Sequence, residues 1–133
     1  MDITSSLQQL ISQECSKNRE GNSNRTKDQT TFEIPSIKLE GGDYGIQMLE
    51  IPKNGKILLF SKDRVRLLYV GKRNRPMFTL GENSFLALKE KLEIYYNTNN
   101  VQEVTHLMIR LHPTSRVEIS KGVKVSLFSQ KIE

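Results

Sequence analysis

Lys53, Lys56, Lys62, Arg64, Arg66, Lys72, Arg73 and Arg75 form a run of basic residues interrupted by a single acid, Asp63. Eight bases less one acid leave this stretch at +7, more than the +5 of the whole 133-residue chain. The remainder nearly cancels: residues 1–31 hold four bases and four acids, 32–52 sum to −3 and 76–133 to +1. A regional excess of this kind attracts polyanions, of which nucleic acid is the commonest. Alternate residues of a strand share a face, so Arg64 and Arg66 should stand roughly 6 to 7 Å apart, a spacing suited to tracking phosphates. Phe60, Tyr69 and Phe78 lie in the same region, and any that points outward could stack on bases. The alternation of Tyr69 and Phe78 with Val65, Leu67 and Leu80 favours the core for those two.

Other chemistry finds less to build on. His106 and His112 have neither a cysteine nor a carboxylate cluster near them in sequence, so no metal site and no general acid–base pair is expected. Gly41-Gly42-Asp43-Tyr44-Gly45 lacks the Gly-Lys-Ser/Thr ending of a phosphate loop and precedes a strand, so it reads as a turn. The single cysteine, Cys15, cannot form an intramolecular disulfide. No apolar run approaches the roughly 20 residues that span a bilayer, and Met1-Asp2-Ile3 lacks the basic start of a secretory signal. The expectation is an intracellular protein, cytoplasmic or nuclear, with no catalytic role, no cofactor and no membrane partner.

Residues 1–31 read as a flexible N-terminal segment. Leu7, Leu10 and Ile11 have helical spacing and suit either a frayed terminus or a short helix docking on a protein partner, whereas 16–31 contain no apolar residue and read as linker. From 32 to 133 a single domain is expected. Short runs rich in β-branched and aromatic residues predict strands at Phe32–Leu39, Tyr44–Ile51, Lys56–Phe60, Val65–Tyr69 and Pro76–Leu80, with Asn54-Gly55 as a hairpin turn. Phe85, Leu88, Leu92 and Tyr95 lie three, four and three apart and predict an amphipathic helix over about Glu82–Asn97 that packs on the sheet. Thr105–Leu111, Arg116–Ile119 and Val123–Phe128 predict further strands, and no internal repeat stands out. The fold class expected is α+β, a curved and mainly antiparallel sheet packed by one helix, with extra C-terminal strands.

Gly55-Lys56-Ile57-Leu58-Leu59, the basic strand after it, the turn Lys72-Arg73-Asn74-Arg75, Met77-Phe78-Thr79-Leu80 and Phe85-Leu86-Ala87-Leu88-Lys89-Glu90-Lys91-Leu92 together resemble the core of the transcriptional coactivator family called positive cofactor four. The resemblance covers about residues 44–96. It implies a curved antiparallel sheet backed by a helix, a homodimer formed through the helices, and single-stranded DNA held by basic residues, here Lys56, Lys62, Lys72 and Arg75. Lys53, Arg64, Arg66 and Arg73 join the expected nucleic-acid-binding set on charge alone. The function expected is binding of single-stranded DNA or RNA through a basic sheet surface. The alternative is an interaction or assembly module whose basic face meets an acidic protein.

Overall fold

The computed structural model describes residues 3–24, 34–72, 74–98 and 107–128. Among these residues a helix, α1 (Ile3–Asn24), precedes eleven strands: β1 (Ser36–Leu39), β2 (Gly42–Ile46), β3 (Leu49–Ile51), β4 (Lys56–Ser61), β5 (Val65–Tyr69), β6 (Phe78–Leu80), β7 (Phe85–Leu88), β8 (Leu92–Asn97), β9 (Ile109–Leu111), β10 (Arg116–Ile119) and β11 (Lys124–Phe128). Every third strand pairs in parallel. Sheet A has the order β1-β4-β7-β10, sheet B β11-β8-β5-β2 and sheet C β3-β6-β9. The chain therefore winds as a coil of three-sided rungs, a parallel β-solenoid in which each rung pairs with its neighbours.

This corrects the expected curved antiparallel sheet with a helix packed on it. Alternating burial reports that a strand has one buried face, and it carries no information about the direction of the strand beside it. Here all three sheets turn one face inward, so alternation appears throughout although every pairing is parallel. The Asn54-Gly55 turn holds Asn54 at φ 64° and closes with Gly55 N–H donating to Pro52 O at 2.9 Å. It leads from β3 in sheet C to β4 in sheet A instead of reversing the chain.

The expected helix over Glu82–Asn97 is β7, a corner and β8. Leu86 and Leu88 point inward, then Glu90 and Lys91 turn the corner with Lys91 at φ 73°, and Leu92, Ile94 and Tyr96 point inward again. The helical stripe mixed the two faces: Leu88 and Leu92 are buried, whereas Phe85 and Tyr95 lie on the outside and are half-buried.

Inward residues stack from rung to rung. Ile37, Leu59, Leu88 and Ile119 form one column in sheet A, and Tyr44, Leu67, Ile94 and Val125 one in sheet B. Tyr69 stacks on Tyr96 with ring centroids 5.1 Å apart. The Tyr96 hydroxyl donates to Arg75 O and also lies 3.1 Å from Leu107 O, which satisfies a polar tip inside an apolar column.

The helix α1 closes the first rung. Leu7, Ile11 and Cys15, four residues apart, are buried on the coil, whereas Leu10 is 44% exposed. Gln8 acts like one residue of a further strand, since its amide donates to Glu50 O and accepts from Glu50 N–H, both at 2.7 Å. Gln47 N–H donates to Thr4 Oγ1 at 2.9 Å. Edge groups of β3 that would otherwise lack partners are thereby satisfied. The helix continues to Asn24, past the point where the composition suggested linker; residues 25–33 lie outside the described set.

Candidate polyanion-binding face

The coil distributes the basic stretch over three corners and two faces. Lys53 sits on the corner between sheets C and A, with its ammonium 3.5 Å from Glu82. Lys56 is on the outer face of sheet A, and Lys62 is exposed at the corner that follows it. Arg64 and Arg66 are on the outer side of sheet B, whereas Lys72 and Arg75 are exposed at the corner between sheets B and C. Arg73 lies outside the described residues. Tyr69 and Phe78 are core residues, and Phe60 is half-buried on the outer side of sheet A.

Both sheet B arginines are occupied. Arg64 grips Glu93 with Nε at 2.8 Å and a terminal nitrogen at 3.1 Å. Arg66 grips Asp43 in the same two-pronged manner, with Nε at 2.7 Å, and lies over the Tyr95 ring at 5.9 Å. The strand register explains this. Asp43, Arg66, Glu93 and Lys124 occupy one row across β2, β5, β8 and β11, so charge alternates in sign from strand to strand. The hydrogen bonds from Arg66 hold the Asp43 carboxyl below its ordinary range, and those from Arg64 do the same for Glu93. Both guanidiniums are correspondingly pushed up by their carboxylate partners. A groove of about 430 Å³ beside this row is lined by Arg64, Glu90, Lys91, Glu93, Gly122 and Lys124, again of mixed sign.

Sheet A is different. Among the described residues its outward positions carry Lys38 on β1, Lys56 on β4, Lys89 just after β7 and Arg116 on β10, against two carboxylates, Glu40 just after β1 and Glu118 on β10, the latter 4.0 Å from Lys89. Lys56, Phe85 and Arg116 form one row across three strands. The Arg116 guanidinium lies over the Phe85 ring at 5.1 Å. That contact leaves the edge of the guanidinium, where its donors are, open to an anion. Phe60 and Leu58 share this outer face as half-buried apolar residues.

Three of these four bases, Lys38, Lys89 and Arg116, lie outside the Lys53–Arg75 stretch. A recurring pattern in the chain marks the places of Lys56 and Arg116: Ile51-Pro52-Lys53-Asn54-Gly55-Lys56-Ile57-Leu58-Leu59, Leu80-Gly81-Glu82-Asn83-Ser84-Phe85-Leu86-Ala87-Leu88 and Leu111-His112-Pro113-Thr114-Ser115-Arg116-Val117-Glu118-Ile119. Each runs from sheet C through a corner into sheet A, and Asn54 and Asn83 share the left-handed conformation at φ 64° and 61°. The Asn83 amide donates to Asn54 Oδ1 at 3.0 Å, so the corners stack as the strands do. Alignment of these three segments places Lys56, Phe85 and Arg116 in register.

Among the described residues no group of three or more His, Cys, Asp or Glu is placed to hold a metal ion, and no helix is long and apolar enough to cross a membrane. His112 accepts a hydrogen bond from Thr114 N–H within its own corner, and His106 is outside the described set. No protein-family model, curated protein or solved structure matches the chain.

Proposed function

We propose that this chain is a non-catalytic binding protein that holds single-stranded nucleic acid by its phosphate backbone on the outer face of sheet A. Lys38, Lys56, Lys89 and Arg116 supply the charge, with Lys62 at the rim. The observation that carries the reading is the contrast between two faces of one coil. On sheet B each arginine is clasped by a carboxylate, whereas among the described residues sheet A carries four bases against two acids, Glu40 and Glu118, and only Lys89 stands within 4.0 Å of one. Neighbouring strands are about 4.8 Å apart and alternate residues about 6.6 Å, so the bases form a grid over which a flexible strand can adjust its phosphates. Phe60 offers an apolar surface for a base beside them.

The test is a titration of the protein against matched single- and double-stranded DNA and RNA at about 50 and 200 mM salt. Tighter binding to single strands, weakening steeply with salt, is the expected result. Absence of binding to every oligonucleotide at the lower salt would contradict the proposal. An acidic protein segment would be drawn to the same face, and a partner that stays bound after nuclease digestion would favour that reading.

A further inference from the structure

The two ends of the coil differ. The first rung is covered by α1, with Gln8 and Thr4 satisfying its edge. At the other end β10 is the edge strand of sheet A and β11 that of sheet B. Val117, Ile119, Val123 and Val125 are only half-buried there, although Leu86 and Leu88, the partners of Val117 and Ile119 one rung below, are fully buried. Leu111, at the end of β9, is 45% exposed. Among the described residues no element covers this end as α1 covers the first.

The edge of β10 is self-complementary. Residues directly opposite in an antiparallel pair share a face of the sheet. A copy of Arg116–Ile119 set antiparallel about Val117 therefore brings Val117 against the partner's Val117, and Arg116 against the partner's Glu118, with the second such pair related by symmetry. Apolar residues meet on the inner side and opposite charges on the outer. A head-to-tail stack would need a bare first rung, which α1 occupies, so association through this edge closes at two subunits and does not propagate.

We propose that a second copy of this chain docks on the last rung, β10 against β10, to form a two-fold dimer. The axis runs through sheet A perpendicular to it, which keeps both outer faces on the same side. The order β1-β4-β7-β10 then continues into the partner's β10-β7-β4-β1, an eight-stranded surface roughly 34 Å across at about 4.8 Å per strand. The dimer stands without the nucleic-acid reading; where both hold, Arg116 is committed to the partner's Glu118 and the joined basic face rests on Lys38, Lys56 and Lys89 of each copy.

Sedimentation of the full chain without nucleic acid, at about 1 to 100 µM, tests the dimer. The wild type should sediment at twice the 15.3 kDa chain mass. Glu118→Lys and Arg116→Glu each set like charges opposite one another twice and should weaken association about tenfold, whereas Arg116→Glu/Glu118→Lys restores both pairs and should recover it. A monomeric wild type at the highest concentration, single variants that associate like the wild type, or a double variant no better than the singles while its circular dichroism is native would each overturn the proposal. A monomer that still binds oligonucleotides removes the dimer and leaves the sheet A reading standing. A dimer that binds none does the reverse.

Discussion

A guanidinium held in a two-pronged grip by a carboxylate has committed two of its five N–H donors, and the charge they carry, to a partner that a phosphate would have to compete with. Arg64 and Arg66 are in that state, so their pairs should matter more to acid tolerance than to ligand binding. Asp43 and Glu93 have folded-state pKa values lowered by those arginines. Their contribution to stability is therefore present above the ordinary carboxylate range and lost as pH falls through it, below about 4. Thermal melts from pH 7 to 3 should show a drop that flattens in Asp43→Asn/Glu93→Gln. Tyr96 behaves oppositely. Burial, with Tyr69 beside it, pushes its hydroxyl up to about 12. Stability should be intact below the ordinary value near 10 and fall between there and about 12, and Tyr96→Phe should remove that alkaline loss while costing about 1 kcal/mol at neutral pH. The bases themselves were legible in sequence, but their neutralisation was not, because Asp43 lies 23 positions from Arg66 and Glu93 lies 29 from Arg64.

The helix α1 joins the coil through a narrow set of side chains. Ile11→Ala should cost about 2–5 kcal/mol in denaturant unfolding, whereas Leu10→Ala, on the exposed side, should stay within about 0.5 kcal/mol of wild type. Gly55 lets the helix approach: a Cβ there would stand 2.8 Å from Cys15 Sγ and 3.0 Å from Pro52 O. Gly55→Ala should destabilise by about 1–3 kcal/mol and increase amide exchange in α1 before the strands. Helical spacing identified Leu7 and Ile11, yet it could not tell a docked helix from a frayed one, since the receiving surface is assembled from β1 to β4. Strands at Lys56–Phe60, Val65–Tyr69 and Arg116–Ile119 were legible from alternation, whereas of Pro76–Leu80 only Phe78–Leu80 is strand. The helix read at Glu82–Asn97 failed because Phe85, Leu88, Leu92 and Tyr95 match a 3.6-residue period by coincidence, while the inward set Leu86, Leu88, Leu92, Ile94 and Tyr96 keeps a period of two across a corner.

At the scale of the molecule, the repeat that defines the coil is concealed by unequal rungs. Sheet A partners are 22 residues apart from Ser36 to Leu58, 29 from Lys56 to Phe85 and 31 from Phe85 to Arg116. A fixed period is therefore absent, and only the three corner segments preceding sheet A preserve a common pattern. Winding also decides which charges can act together, because residues adjacent in sequence turn to different faces while residues about 30 apart become neighbours. That is why the basic stretch Lys53–Arg75 disperses and why Lys38, Lys56, Lys89 and Arg116 converge. The most direct measurement is the salt dependence of binding to a labelled single-stranded oligonucleotide by wild type, by Lys38→Gln/Lys56→Gln/Lys89→Gln and by Arg64→Gln/Arg66→Gln. The sheet A variant should bind more weakly, and its slope of log affinity against log salt should be shallower by about 2, or roughly 0.7 for each phosphate that is no longer neutralised. The sheet B variant should keep the wild-type slope. Equal losses in the two variants, or loss confined to the sheet B variant, would contradict a polyanion site on sheet A.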